Sequence, residues 1–265
     1  MTGTYTHGHH ASVLRSHTWR TAANSAAHLL PSLKPGQSLL DIGCGPGTVT
    51  ADLARLVAPG LTVGLDASQE IIEQARASAT TARNLSFQVG DAYSLPFADG
   101  SFDVVHAHQV LQHLTDPVAA LREWRRVVAP GGVLALRESD YSGMTWYPPS
   151  RGLEEWNALY HRVTAANQAD ADAGRKLLSW ALEAGFGADR LEPGAGTWCY
   201  AGADRRWWAE SWAERCLRSG FGLQAVEYGL AEPADLDRLA QAWRDWGESQ
   251  DGWFVVLHGE LIARC

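Results

Sequence analysis

The chain has no run of 18 apolar residues and no basic-then-apolar leader, so neither a membrane-spanning helix nor a secretory signal is expected. The location read from this is the cytoplasm. It also lacks any cluster of Lys or Arg. With 22 basic against 30 acidic residues the formal net charge is −8, which argues against a nucleic-acid backbone as partner. The four cysteines, Cys44, Cys199, Cys216 and Cys265, have no paired spacing, which argues against a zinc site or a disulfide framework. His7, His9 and His10 match no compact tetrahedral set and have no Cys nearby, so no metal is expected. No repeat, low-complexity tract or long linker divides the 265 residues, enough for one large domain with an appendage. What remains by default is a protein that acts on a small molecule.

The informative stretch is LLDIGCGPGTVT, residues 39–50. Leu39, Leu40 and Ile42 read as a short buried strand, and Gly43, Gly45 and Gly47 as a tight turn. Thr48 to Val57 then repeats apolar residues at helical spacing. Strand, glycine loop and helix open a doubly wound α/β domain, which binds its ligand at that turn. Glycine is required where a Cβ would block a backbone close to a ligand, and where φ is positive. The spacing is G-x-G-x-G rather than the G-x-G-x-x-G of dinucleotide binders. Asp41, just ahead of the loop, repels a phosphate and attracts a cation, so an adenosine ligand carrying an ammonium group fits better than one carrying phosphates.

LLDIGCGPG resembles motif I of class I S-adenosylmethionine-dependent methyltransferases. The following stretches extend the resemblance to the ubiquinone/menaquinone-biosynthesis-like branch, over roughly residues 35–140. It implies a Rossmann-like sheet of seven mostly parallel strands, helices on both faces and an antiparallel last strand. It places S-adenosylmethionine against Asp41, Gly43 and Gly45. Asp66 ends the second strand, Leu61 to Leu65, about twenty residues past the loop, where a carboxylate accepts both ribose hydroxyls. Ala67 follows it, and Ser68 supplies the next helix cap. After a third strand, Leu85 to Val89, the resemblance puts Asp91 against the adenine amino group and the Ala92 N–H against the ring. Phe102 to Ala107 is the fourth strand, and it delivers His108 and Gln109 to the sheet's carboxyl edge. Asp116-Pro117 starts a helix whose buried stripe is Val118, Leu121, Trp124, Val127 and Val128, with Pro130-Gly131 as its end. Gly132 to Leu136 is the fifth strand, and Glu138 to Tyr141 lie at the same rim.

Residues 1–34 read as lid helices. Apolar residues from Val13 to Leu30 recur at helical spacing until Pro31; in the lid reading Tyr5 and His10 close over the cofactor and Arg15 meets its carboxylate, and the alternatives are a flexible tail and a solvated surface arginine. Residues 35–265 form the methyltransferase domain, with helical cap insertions at about 142–175 and 203–249. Gln168 to Gly174 reads as a solvated acidic loop. Two helices follow the sixth strand, Thr197 to Tyr200, one with Trp208, Trp212 and Cys216, the other with Leu236, Leu239, Trp243 and Trp246. Trp253 to Ala263 is the last strand. Of the 12 tryptophans most lie in the later half, where they join the cap to the sheet and in part line an acceptor pocket.

Methyl transfer requires acceptor, methyl and sulfur in line, with water excluded. A base is required only if the acceptor must lose a proton, and His108, His113 and His10 are the candidates. The expected activity is methylation of a small apolar or aromatic molecule, in secondary metabolism, with S-adenosylhomocysteine as product. Two alternatives stand beside it: a cyclisation assisted by the bound sulfonium, and a non-catalytic binding module. Monomer and homodimer both remain open.

Overall fold

The computed structural model describes residue 6, residues 19–78 and residues 82–265. The elements run α1 (Ala22–Ser25), β1 (Leu39–Ile42), α2 (Thr48–Val57), β2 (Thr62–Asp66), α3 (Gln69–Ser78), β3 (Leu85–Val89), β4 (Phe102–His108), α4 (Pro117–Val127) and β5 (Val128–Tyr147). Next come α5 (Arg151–Ala166), α6 (Leu177–Glu183), β6 (Leu191–Ala201), α7 (Asp204–Arg218), α8 (Gly220–Glu227), α9 (Pro233–Glu248) and β7 (Trp253–Arg264). The strands form one Rossmann-like sheet of seven in the order β3-β2-β1-β4-β5-β7-β6. Pairing is parallel from β3 to β5, and β7 runs antiparallel to both neighbours. The order reverses between β1 and β4, so a crevice opens where their carboxyl ends diverge.

The two sheet faces differ in chemistry. On one, Leu40, Ile42, Val105, Ala107, Leu134 and Leu136 pack against Val118, Leu121 and Trp124 of α4. Asp116 caps that helix by accepting from the Ala119 N–H at 2.9 Å, and the Trp124 indole donates to the Ala92 carbonyl at 2.9 Å. On the other, Leu39, Val104, Val133, Ala135 and Ile262 meet Ala22, Ala26 and Leu29 of the N-terminal segment, and Val49, Leu53 and Val57 of α2. Towards the carboxyl ends this second face turns polar. Cross-strand register sets Asp41 beside His106, His108 beside Arg137, Arg137 beside Glu260 and Ser139 beside His258.

A second core lies beyond the sheet edge, where α5, α7, α8 and α9 pack on the extended parts of β5, β6 and β7 around Trp156, Trp208, Trp212, Trp243, Trp246 and Phe254. β5 runs from Val128 to Tyr147, well past the expected end at Leu136. The polar residues that mimic a rim are buried and partnered. Glu138 accepts backbone N–H groups from Val110 and Leu111 at 2.8 Å and from Gln112 at 3.3 Å, and Asp140 takes a bidentate ion pair from Arg175. Three helices, not two, separate β6 from β7; α8 is the addition, and its Gly222 is required because a Cβ there would stand 2.0 Å from the Cys216 carbonyl oxygen.

The acidic loop is structural rather than merely solvated. Asp172 accepts from Ser142 N–H at 2.7 Å and Ser142 Oγ at 2.6 Å, and the Asp170 N–H donates to the Gln112 carbonyl at 2.9 Å. In the N-terminal segment only Ala22–Ser25 of the described residues forms an α-helix, opened by a Thr21/Asn24 capping box and closed where Ala26 takes a non-helical φ of −135°.

Candidate active site

The crevice between β1 and β4 contains a cavity of about 380 Å³. Its floor is the glycine loop. Gly43, Gly45 and Gly47 have φ of +65°, +54° and +81°, a region that L side chains rarely adopt. A Cβ on Gly43 would lie 2.4 Å from Val110 Cγ2, so the loop after β1 and the turn after β4 touch only because Gly43 has no side chain. A Cβ on Gly45 would meet nothing within 4 Å, and Gly45 lines the cavity. This is a cradle kept bare on its ligand side. The neighbouring Cys44 is buried, which pushes its thiol pKa up, so it packs rather than reacts.

Asp66 ends β2 against that loop. Its carboxylate accepts the Gly45 N–H at 3.1 Å and the Ser68 N–H at 3.0 Å, and Asp66, Ala67 and Ser68 all line the cavity. Gly90 and Ala92 line it as well, whereas Asp91 is exposed, outside the lining, and accepts from the Tyr93 N–H at 2.9 Å. Asp41 lines the cavity, but its carboxylate is already engaged: Thr50 Oγ1 donates at 2.5 Å and His106 Nδ1 lies at 2.7 Å. Its direct role is to fasten β1 to α2 and β4 beneath the loop.

The end of β4 supplies the next wall. Gln109 has φ +56°, unusual for a residue with a side chain and a form of strain found at binding sites. Its amide oxygen accepts from Arg20 at 2.6 Å and its amide nitrogen donates to His258 Nε2 at 3.0 Å. Arg20 therefore stands at the cavity where Arg15 was expected. Arg15, Tyr5 and His10 lie outside the described residues, and nothing in the spacing singles out Arg20 in advance. Glu138, beneath, gathers the three N–H groups of the 110–112 turn and so orients Gln112 and His113. Burial raises the Glu138 carboxyl to about 7.

His108 and His113 both face the cavity. Gln112 donates its amide to His113 Nε2 at 3.0 Å, which leaves the ring proton on Nδ1 in the neutral tautomer. Burial, with Arg20 nearby, lowers the His113 pKa to about 3. Burial first, then Arg20 and Arg137, holds His108 well below its ordinary value. Both rings are neutral and weakly basic near pH 7.

The pKa shifts carry a stability consequence. His28 is lowered to about 3 by burial and by His106 and Arg137, and His258 lies well below 6.5 for the same kind of reason. Between pH 6.5 and 3 the unfolded chain binds protons that these four folded histidines refuse, so stability falls as pH falls. Glu138 acts oppositely: between 4.5 and about 7 the folded state keeps a proton that the unfolded chain has released. Four groups outweigh one. At up to about 1.4 kcal/mol per pH unit per group, chemical denaturation is expected to show a loss of about 2 kcal/mol or more from pH 6.5 to 5. A flat profile over that interval would show that the histidines are not excluded from protons.

The far wall is aromatic: Tyr141, Met144, Trp198, Trp208, Trp212 and Val256, with Arg215 among them. The tryptophan surplus signals this wall in the sequence, but Arg215 carries no signal of its own. Among the described residues, no group of three or more His, Cys, Asp or Glu is placed to hold a metal.

Residues 40–136 match a methyltransferase domain family. An uncharacterised methyltransferase of Schizosaccharomyces pombe is 34% identical over 98% of this chain and 96% of its own length. A demethylmenaquinone methyltransferase of Lactococcus lactis is 38% identical over 42% of this chain and 46% of its own. Among solved structures, the BH2331 protein of Bacillus halodurans shares the fold with a TM-score of 0.59 and 21% identity, over 90% of this chain and 97% of that one. The bare glycine cradle, the carboxylate at the end of β2 and the end-to-end likeness converge: this chain belongs to the S-adenosylmethionine-dependent methyltransferase family.

Proposed function

We propose that the chain transfers the methyl group of S-adenosylmethionine to a small, flat, apolar or aromatic molecule of secondary metabolism. One observation carries this reading: a single cavity joins the glycine cradle and Asp66 at one end to an aromatic wall at the other. Bound S-adenosylmethionine supplies an electrophilic methyl group that needs no further activation.

The chain's own residues do the rest. Gly43 and Gly45 allow close approach, and Asp66 accepts from the ribose. Ala67 and Ala92 border the adenosine part, with Asp91 on the turn beside it. His108, Gln109 and Arg20 face the methionine part. Trp198, Trp208 and Trp212 exclude water from the acceptor. Residues 1–34 and the helical layers at 142–175 and 203–249 act as lid and cap in this reading, with Tyr5, His10 and Arg15 on the lid. His108 and His113, held neutral, accept a proton only at a cost, so the site suits an acceptor that arrives already deprotonated or needs no base.

The test is an acceptor screen over aromatic and polyketide-like metabolites, read by mass spectrometry. One added methyl with equimolar S-adenosylhomocysteine is expected. A converted acceptor with no added methyl and no S-adenosylhomocysteine would point to a cyclisation instead.

A further inference from the structure

Three histidines border the cavity, His106, His108 and His113, and they differ in how they are held. His106 Nδ1 lies 2.7 Å from the Asp41 carboxylate, and His113 Nε2 takes the Gln112 amide at 3.0 Å. His108 is 8% exposed, and neither of its ring nitrogens has a hydrogen-bond partner among the described residues. Buried polar groups are nearly always paired, and leaving one unpaired costs stability, so such a ring at a cavity is reserved for a ligand. With no hydrogen bond to hold it, the ring turns about its Cβ–Cγ bond, a broad torsion, and presents either nitrogen.

Its place narrows the ligand. His108 ends β4 beside Gln109, and its ring packs on Trp198 of the aromatic wall with centroids 5.5 Å apart. It therefore stands between the part of the cavity read as receiving methionine and the part read as receiving the acceptor. Burial, then the charges of Arg20 and Arg137, keep the ring neutral, with one N–H and one lone pair. Both guanidinium groups lie over the Trp198 ring, 5.4 and 4.9 Å from its centroid. Glu260 offsets Arg137 at 2.9 Å, but the carboxylates among the described lining residues, Asp41 and Asp66, stand at the glycine-loop end. The field at this wall opposes an ammonium beside the imidazole and favours an electron-rich oxygen, to which the N–H donates.

We propose that His108 is a positioning residue for the acceptor, donating its ring N–H to an oxygen of a flat ring system: a ketone, an enol or a phenol. It holds that oxygen and takes no proton from it. The inference rests on the methyltransferase reading of this cavity and narrows the acceptor from flat and apolar to flat and oxygenated.

Two matched probe pairs test this, by calorimetry on the full chain with and without S-adenosylhomocysteine. The pairs are indanone with indane, and β-naphthol with β-methylnaphthalene. A ketone only accepts, so the first pair isolates donation by the protein. The wild type is expected to bind indanone about fivefold or more tightly than indane, the size of one hydrogen bond to a buried donor, and to separate the second pair similarly. His108→Phe is expected to abolish both gaps, and His108→Asn, whose amide still donates, to keep part of them. NMR of the histidine ring nitrogens, with His108 assigned by its loss in His108→Asn, adds a readout that a packing role does not move. The His108 N–H is expected to shift with indanone and not with indane, and the ring to stay neutral with β-naphthol. No gap for indanone, a gap that survives His108→Phe, no binding of any probe, or an imidazolium signal with β-naphthol overturns the proposal. If the variants fail to fold, the wild-type indanone gap and the shift of a histidine ring N–H decide. Failure of S-adenosylhomocysteine to bind would instead count against the methyltransferase reading, and the probe gap in the cofactor-free protein remains measurable.

Discussion

Asp66→Ala is expected to weaken S-adenosylhomocysteine binding at least tenfold. Asp66 stands half-buried at the end of β2, and each carboxylate oxygen already accepts one backbone N–H, from Gly45 at 3.1 Å or from Ser68 at 3.0 Å. These two bonds fix the carboxylate at the cavity wall and leave further lone pairs for a diol. Hydrogen bonds to a charged group are worth about 1.5–3 kcal/mol each, so losing even one corresponds to roughly tenfold or more in affinity. The substitution also frees the Gly45 N–H, so the loop loses an anchor as well as the ligand's acceptor. Asp66→Asn separates these effects, since its amide oxygen still accepts while the charge is gone. Calorimetry on the folded variants decides; unchanged affinity in Asp66→Ala would remove Asp66 from the site.

Trp156→Ala is expected to cost about 3–5 kcal/mol of stability, the range for truncating a large buried aromatic. Trp156 is fully buried at the centre of the helical layer. Its ring packs edge-on against Trp212 at 4.4 Å and Trp243 at 4.8 Å, and contacts Tyr141 at 6.1 Å. Such pairs add about 0.5–1.5 kcal/mol beyond area burial. Tyr141 and Trp212 also line the cavity, so the loss reaches the aromatic wall while the glycine loop, whose Cys44 packs with Ile72, Ala75 and Phe87 in a separate cluster, is spared. Urea denaturation is the measurement. A change below about 1 kcal/mol would mean that this layer is not held by its tryptophan core.

The parts legible in the sequence are those set by local chemistry. A glycine loop between a buried strand and an amphipathic helix has few other solutions, and Asp116-Pro117 starts its helix by capping and preset φ, as the structure shows. Alternating strands and helices then dictate a parallel sheet with a switch point. The less legible parts depend on partners distant in sequence. Glu138 and Asp140 read as a rim because nothing nearby reveals that Val110, Leu111 and Arg175 satisfy them inside an extended β5. The helix α8 depends on a close approach that no local pattern shows, since Gly222 is what lets it pass the Cys216 carbonyl. The residues Gln168 to Gly174 look solvated because their partners, the Gln112 carbonyl and the Ser142 N–H, come from distant parts of the sequence. Arg20 and Arg215 are single cations whose position at the cavity arises from packing, not from any motif.

The reading of the site rests on the bare glycine cradle and Asp66 receiving an adenosine ligand that is not a dinucleotide. Calorimetry of the full chain with S-adenosylhomocysteine and with NADH tests this most directly. Saturable binding of S-adenosylhomocysteine and none of NADH is expected; binding of NADH without S-adenosylhomocysteine would overturn the assignment of the loop.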